Sequence, residues 1–476
     1  IGTPTHTNSW FGRGNYSYKG KYLLTATFRA DGSSKFAPNH HWGYFPAAAV
    51  AWRISDENFM ENAKDWLDNL KLRASFGLVG SDKISDNNDD RFAYLQFFQG
   101  GDGYSFGFNE FGSGYDGLKE GNFANPNLTW EKARKTNIGF DATLFNGKLT
   151  IAADYFREHR YDIITTLSDG DKMGYPDIVG KDAPFVNSGI VDNQGIDFEL
   201  GWNSTIGKDF RYYIKPNFTF ARNKIKFMNE VDYGNEYRQK TGRRLGEHFV
   251  YVVDHFVYDQ AEADKLNAMN DGRGFQPWGE LHPGDVVYKD LNQDGKIDDY
   301  GDRTHMGFPR TPEIQFGIPF GIQYKGFDIS IMFQGSLNSS ILLSGAAVWD
   351  FPSYEQDQYG KVKHMHLNRW TEATKDVATY PRLTYGAYEN NKNGNSSLFL
   401  YNANYIRLKN LEVGYSLPKN IIRFAGLQNV RFYVQGLNLL TFDSLDDVDM
   451  DPETKEGSGD WYPIQRVYNF GVEITY

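Results

Sequence analysis

The stretch RVYNFGVEITY, residues 466–476, decides the fold because from Tyr468 onward it alternates apolar side chains with polar residues or glycine. Every second residue from Tyr468 to Tyr476 is aromatic or aliphatic, and the residues between them are polar or glycine. A period of two is typical of a β-strand with one buried face. The stretch therefore predicts a strand whose apolar face requires either a protein core or lipid.

The same alternation recurs along the chain, for example at residues 138–144, 196–203 and 327–334. Asp197 and Glu199 lie in mid-strand on the polar face of the second of these segments. In a small soluble barrel such carboxylates would lie outside, whereas in a porin-like barrel they would line a wet lumen. Alternation alone leaves both alternatives open.

Composition favours a large sheet. The 476 residues carry a net charge of −11, and 16% of them are aromatic, with 49 glycines and a mean hydropathy of −0.59. High Tyr, Phe and Gly favour strands over helices. The absence of cysteine excludes disulfides and thiolate metal sites, and the acidic balance argues against nucleic acid as a partner. No run of apolar residues is long enough for a membrane-spanning helix, but a spanning strand needs only about ten residues.

The connections between strands fall into a short set and a long set that alternate along the chain. About thirteen spans show strand patterning: 8–18, 21–30, 42–52, 70–80, 133–144, 148–167, 190–205, 209–227, 312–324, 326–338, 399–415, 428–442 and 464–476. Long loops are expected at about 81–132, 228–311, 339–398 and 443–463. The turns at the other end are short, apart from 53–69, where ENAKDWLDNL (61–70) predicts a short amphipathic helix.

Tight turns at one end and long loops at the other are typical of an all-β, antiparallel transmembrane β-barrel. Bacterial single-chain barrels have even strand counts, so about thirteen strands leave at least one strand missing before residue 8. The chain also lacks an initiator Met and a signal peptide. We therefore expect residues 1–476 to be the C-terminal part of a larger barrel.

Several stretches resemble the SusC/RagA-type TonB-dependent transporters of Bacteroidetes outer membranes, in the family's order. They are 11–57, LKLRASFGLVGSD (70–82), 130–156, NSGIVDNQGIDFEL (187–200), GDVVYKDLNQDGKIDD (284–299), RWTEATKDVATYPRL (369–383) and YIRLKNLEVGYSLP (405–418).

The resemblance implies the C-terminal thirteen or so of about 22 strands, with the plug domain absent from this chain. It implies a nutrient-uptake transporter of the bacterial outer membrane that imports glycans or oligopeptides. The expected partners are a SusD-like surface lipoprotein that lids the barrel, outer-membrane lipid, and TonB, which would act through the missing N-terminal part. It implies no enzymatic activity and does not identify the substrate.

The loop DLNQDGKIDDYGD, residues 290–302, predicts a structural calcium site. Asp290, Asn292 and Asp294 occupy positions 1, 3 and 5 of an EF-hand-like loop, with Gly295 at the sharp turn. The remaining predicted ligands are the Lys296 carbonyl and the carboxylates of Asp298 and Asp302. Position 12 is Gly301 rather than Glu, so an Asx-rich turn without metal stays open as an alternative.

Aromatic residues crowd the long loops and are candidates for stacking on a sugar or for packing against a peptide. The candidate ligand-binding residues are Tyr104, Phe106, Trp349 and Tyr354. Loops that pack on one another or on a lid would show the same composition. Two further hypotheses compete with transport: a secreted β-rich glycan-binding lectin or adhesin, and a glycoside hydrolase on a β scaffold. Nucleophile-elbow, zincin, Walker and dinucleotide motifs are all missing from the sequence.

Overall fold

The computed structural model describes residues 5–85, 91–105, 114–121, 123–166, 183–230, 234–351, 362–386, 388–459 and 461–476. The strands are β1 (Thr7–Tyr18), β2 (Tyr22–Ser33), β3 (Trp42–Arg53), β4 (Leu67–Ser81), β5 (Phe98–Ser105), β6 (Gly114–Glu120), β7 (Glu131–Leu144), β8 (Leu149–Thr166), β9 (Phe185–Ile206), β10 (Phe210–Ile214), β11 (Asn217–Phe227), β12 (His248–Tyr251), β13 (Val253–Phe256), β14 (Val286–Tyr288), β15 (Arg303–Met306), β16 (Ile314–Tyr324), β17 (Phe327–Leu337), β18 (Ser340–Leu342), β19 (Leu400–Asn402), β20 (Tyr405–Ser416), β21 (Asn429–Asp443) and β22 (Val467–Thr475). The α-helices are α1 (Gln260–Asn267), α2 (Met269–Gly272), α3 (Glu389–Lys392) and α4 (Lys419–Ile422). No helix in the described ranges is long and apolar enough to cross a membrane.

One sheet of 14 strands dominates the molecule, and its pairings are antiparallel. The order is β1-β2-β3-β4-β7-β8-β9-β10-β16-β17-β20-β21-β22, with β11 pairing to β9 and β16. Each neighbour in this order is the next long strand along the chain, so the sheet is an up-and-down meander. The all-β antiparallel barrel architecture predicted from alternation and from the order of short and long connections is confirmed.

All of the predicted spans contain strands of this sheet, and one of them is divided. Residues 209–227 form β10 and β11, because Pro216 between them has no N–H to donate to the ladder. The tight turns lie where the sequence predicts them: Lys19, Asn146 and Lys325 each adopt a positive φ, of 54°, 58° and 46°. The helix predicted over 61–70 was wrong. A 3-10 helix covers Asn58–Ala63, and β4 already begins at Leu67.

The long loops contain structure of their own. Residues 248–306, 340–351 and 362–403, here named the loop body, hold three clusters of buried apolar side chains. Leu398 packs against two of these clusters. Short paired strands, β12–β15 and β13–β14, form within residues 248–306, and β18–β19 joins the segments 340–351 and 362–403. The loop body therefore folds around a protein core, at the end of the sheet opposite the tight turns.

Candidate functional site

The register of the sheet separates an outer apolar face from an inner polar face. Phe470 of β22 pairs with Val434 of β21, and both side chains are exposed, Phe470 at 79%. Gln435 and Asn469 form the next pair and lie on the opposite face, where their side-chain amides are 3.1 Å apart. A contiguous exposed apolar face on one side of a sheet is suited to lipid.

Asp197 and Glu199 lie on the inner face. Thr219 Oγ1 donates a hydrogen bond of 2.8 Å to Asp197, while Phe198 between the two carboxylates pairs with Phe218 on the outer face. The carboxylates therefore point away from the apolar face. This is the arrangement of a barrel with a wet lumen rather than that of a small soluble barrel.

An arginine clamps three strands on the inner face near the tight-turn end. Arg73 donates hydrogen bonds of 2.9 Å to both oxygens of Asp141 and to both oxygens of Asp154. A Cβ on Gly139 would lie 2.3 Å from Asp154 Oδ1, so only glycine leaves room for this carboxylate. Because bidentate pairs fix the orientation of both groups, the wall presents charges in set positions.

A second arginine repeats this arrangement near the β22 edge of the sheet. Arg431 donates to Asp328 at 3.0 Å from Nε and to Glu412 at 2.5 Å from Nη2. A Cβ on Gly414 would lie 2.4 Å from the guanidinium, so glycine again provides the space. These side chains remain partly accessible to solvent. Fixed, solvated ion pairs thus line the inner wall at two places, across β4, β7 and β8 and across β17, β20 and β21.

A pocket of about 830 Å³ opens on the inner face between β11, β16, β17 and β20. On β11, β16 and β17 its wall carries five uncharged polar side chains: Asn217, Thr219, Gln315, Gln334 and Ser336. The ladder places them in neighbouring rows on one face. Amides and hydroxyls of this kind can donate to and accept from the hydroxyls of a sugar or the amides of a peptide.

The segment 451–456 forms the opposite wall of this pocket and is held by two arginines. Arg407, 1% exposed, forms an ion pair of 2.7 Å with Asp451. Arg310 Nη2 donates to the Pro452 carbonyl at 2.8 Å. Arg407 lies in β20 and Arg310 lies just before β16, so these contacts hold the segment beside the sheet and give the pocket a defined shape on both sides.

Sequence reasoning missed this pocket and turned instead to loop aromatics. The sequence does contain a signal for the pocket, because Gln315 and Gln334 each occupy a polar position in an alternating strand. Amides in place of charges at the lumen-facing positions of adjacent strands mark this patch, and the same signal recurs at Gln435 and Asn469.

The predicted ligand aromatics fall in different places. Tyr104 lies in β5, opposite Tyr115 of β6, in a hairpin outside the main sheet. Trp349 packs partly buried against an apolar cluster of the loop body, and its Nε1 is buried without a hydrogen-bond partner. Phe106 and Tyr354 lie outside the described residues. A ligand-binding role for these aromatics stays a prediction.

The predicted calcium loop is closed by hydrogen bonds from the backbone to its carboxylates. Asp290 accepts from the amides of Asp294 at 3.2 Å and Gly295 at 2.8 Å, and Gly295 has a φ of 86°. Asn292 Nδ2 donates to Asp294 Oδ2 at 3.1 Å. Asp290, Asn292 and Asp294 are thus brought to one turn, as the spacing predicts, in an Asx-type geometry that also holds without metal.

Asp298 and Asp302, two further predicted ligands, lie in the second half of the same loop. Asp302 is fully buried, and its carboxylate accepts hydrogen bonds of 2.8 Å from the backbone amides of Leu291 and Asp298. Burial raises the pKa of this carboxyl. Burial acts in the same direction on Asp298, but hydrogen bonds from Lys296 Nζ and from backbone amides outweigh it and lower the pKa. In the described part of the chain, three His, Cys, Asp or Glu side chains nowhere converge on a metal-binding arrangement. A calcium ion here would depend on Asn292 and a backbone carbonyl, and the site stays a prediction.

Comparisons with known proteins agree with this geometry. The model of a family described as TonB dependent receptor-like, beta-barrel, matches residues 2–439. TonB-dependent receptor P3 of Formosa agariphila is 29% identical over 99% of this chain and 46% of that protein. TonB-dependent receptor SusC of Bacteroides thetaiotaomicron is 27% identical over 98% of this chain and 43% of that protein.

A solved structure described as the RagAB peptide transporter has the same fold. It superposes with a TM-score of 0.73 at 23% identity, covering 99% of this chain and 47% of the other. The chain thus spans about half the length of the curated relatives and of the solved structure that it matches.

Proposed function

The chain belongs to the TonB dependent receptor-like β-barrel family, and from this premise we propose that it forms part of a transporter for an oligomeric nutrient. It is a β-barrel protein of the bacterial outer membrane, of the SusC/RagA type. Its outer face contacts lipid, and its inner face borders the path of the nutrient. The remaining strands and the plug would come from the rest of the protein.

The observation that carries this proposal is the pocket on the inner face. Its volume of about 830 Å³ exceeds what a single sugar or amino acid requires, and its wall combines amides and hydroxyls with Tyr405. Such a site suits a polar oligomer, either an oligosaccharide or an oligopeptide. No covalent chemistry is needed for its transfer.

Capture and energy would come from partners. A SusD-like surface lipoprotein would close over the loop body and deliver the oligomer to the pocket. TonB, acting through the N-terminal part of the protein, would then remodel the plug and release the oligomer to the periplasm. The loop at 290–302 would bind a structural calcium ion through Asp290, Asn292 and Asp294 and stiffen the surface on which the lid closes.

A matched pair of substitutions tests the proposal. Gln315 and Gln323 both lie on the inner face of β16, eight residues or about 26 Å apart, and only Gln315 lines the pocket. Gln315→Trp would narrow the pocket and remove its amide, so we expect uptake of the oligomer to fall about tenfold or more. Gln323→Trp should leave uptake near the level of the unmodified protein.

The measurement is uptake of labelled oligosaccharide and oligopeptide pools by cells that produce the full-length protein, with heat-modifiable migration as the check on barrel assembly. A TonB-deficient strain should lose the uptake. Equal uptake with and without TonB, or equal loss from both substitutions, would contradict the proposal.

A further inference from the structure

On the outer face, four neighbouring strands change from apolar to basic side chains as they approach the long-loop end. The change takes place between one row of cross-strand neighbours and the next. The lowest of three successive rows across β11, β9, β8 and β7 is apolar: Phe220, Ile196, Tyr155 and Ile138. The next row is polar and carries two arginines: Arg222, Gln194, Arg157 and Thr136. The third row carries two more cations: Lys224, Asp192, His159 and Arg134.

These rows share the outer face because they are separated by two residues along each strand. A two-residue step is about 6.7 Å, so the first arginines lie one step beyond the last lipid-facing row. Ile196 and Ile138 are 47% and 58% exposed, which marks the edge of the apolar surface. The cations therefore lie at the depth of lipid headgroups rather than of acyl chains.

A pocket of about 540 Å³ opens among these side chains and the segment 242–247, which runs beside β11. Six basic and two acidic side chains line it, so its charge is strongly positive. The Ile225 amide donates to the Arg243 carbonyl at 2.9 Å, and the Gly242 amide donates to the Ile225 carbonyl at 2.8 Å. These two backbone bonds fix the segment against the strand, so the pocket has a rigid rim.

Part of this positive charge is not neutralised within the protein. Arg222 is held by two hydrogen bonds of 2.8 Å to Glu313, and Arg157 approaches Asp192 at 3.3 Å. Within the described ranges, Lys224 and Lys226 have no carboxylate at ion-pair distance. The Arg243 guanidinium donates to the carbonyls of Gln239 at 2.9 Å and Tyr237 at 3.3 Å. The pocket thus combines arginines in fixed orientations with free cationic groups.

We infer that this pocket binds the phosphate group of a lipid headgroup in the outer leaflet. Guanidinium and ammonium groups together match the oxygens of a phosphate, and the adjoining apolar rows would contact the acyl chains of the same molecule. A soluble anion would use the charges but not the apolar rows below them. The inference rests on the proposed function, because it requires the long-loop end to face the outer leaflet.

The test compares two pairs of lysine substitutions in the full-length protein, purified in neutral detergent. Lys224→Gln with Lys226→Gln removes two free charges from the pocket. Lys135→Gln with Lys215→Gln removes two charges from the inner face, where Lys135 pairs with Glu158 and Lys215 lies over the ring of Tyr213. The probes are phosphatidic acid, phosphatidylcholine and inorganic phosphate, with retained lipid counted by native mass spectrometry.

The unmodified protein should retain phosphatidic acid in preference to phosphatidylcholine. The pocket variant should bind it about 30-fold more weakly, since each lysine near a lipid surface contributes about fivefold, and the inner-face variant should bind it normally. Equal weakening in both variants, or displacement of the lipid by millimolar inorganic phosphate, would overturn the inference.

Heat-modifiable migration distinguishes a failure of the lipid-binding pocket from a failure of the proposed transporter. A folded barrel in the outer membrane that shows no preference for the phosphate lipid refutes the pocket alone and leaves the transporter in place. A chain that does not enter the outer membrane refutes the transporter and the pocket together.

Discussion

The sheet and the loop body place their apolar side chains in opposite ways. In the loop body, Val250, Ile341 and Phe399 are fully buried in protein. In the sheet, Phe470 and Ile138 are 79% and 58% exposed, and the polar groups face inward. One chain thus contains a region that supplies its own apolar core and a region that needs lipid to cover it.

Charged groups differ in the same way. In the loop body Lys392 and Asp350 form an ion pair of 2.8 Å with side chains 2% and 1% exposed. On the inner wall of the sheet, Arg73 and Asp141 remain 30% and 34% exposed. A buried pair depends on both partners, whereas a solvated pair tolerates the loss of one. The comparison therefore predicts where a given substitution is most harmful.

The largest effect is expected from Lys392→Met. The ammonium of Lys392 also donates to the carbonyls of Thr384 at 2.7 Å and Gly386 at 2.9 Å, so its loss leaves Asp350 charged and buried without its partner. Breaking such a pair costs about 3–5 kcal/mol. Limited proteolysis of the full-length protein in detergent should show cleavage in 340–403, while the sheet keeps its heat-modifiable migration.

The control is Lys325→Met in an exposed tight turn, which should change stability by less than about 0.5 kcal/mol. If the sheet and the loop body of the Lys392 variant unfold together, the two regions are not independent. That result would contradict the conclusion that the loop body is stabilised by a core of its own.

A smaller effect is expected from Phe470→Arg on the lipid-facing side. An arginine on the lipid face costs about 2–4 kcal/mol at the bilayer midplane. Asn469→Arg, one residue away on the inner face, should cost little, and so should Val377→Arg in the loop body, although Val377 is 74% exposed. The measurement is the free energy of unfolding by denaturant in lipid vesicles. A penalty of the same size for all three arginines would mean that the exposed face of the sheet does not contact lipid.

The sheet could be predicted from sequence because its signal is local. Period-two alternation and tight turns such as Asn146-Gly147 depend only on neighbouring residues, and the loop-to-turn asymmetry depends on their order. The break at Pro216 was also present, but the strand pattern on both sides of it concealed the division into β10 and β11.

The loop body could not be predicted because its contacts are distant in sequence. Arg382 and Asp285 form an ion pair across 97 residues, and strands of three or four residues such as β14 and β18 are too short to show a period. Trp349 shows the same difficulty, since an aromatic residue in a loop has the same sequence signature in a core as on a surface. The lumenal pocket depends likewise on register between strands, which sequence alone leaves open.

The smallest effect is expected from calcium binding. It should stabilise the loop body and not the sheet, and it requires no substitution in an apolar core. If the loop at 290–302 binds calcium with the millimolar affinity of extracellular modules, a tenfold excess over Kd stabilises the bound form by roughly 1.4 kcal/mol. This gain should protect the loop body from proteolysis and leave the unfolding of the sheet unchanged. Asp290→Asn with Asp294→Asn should abolish the gain, whereas Asp299→Asn, outside the predicted ligand set, should retain it. Protection by magnesium equal to that by calcium, or no protection by either, would favour the Asx-rich turn without metal, because the backbone amides already satisfy Asp290.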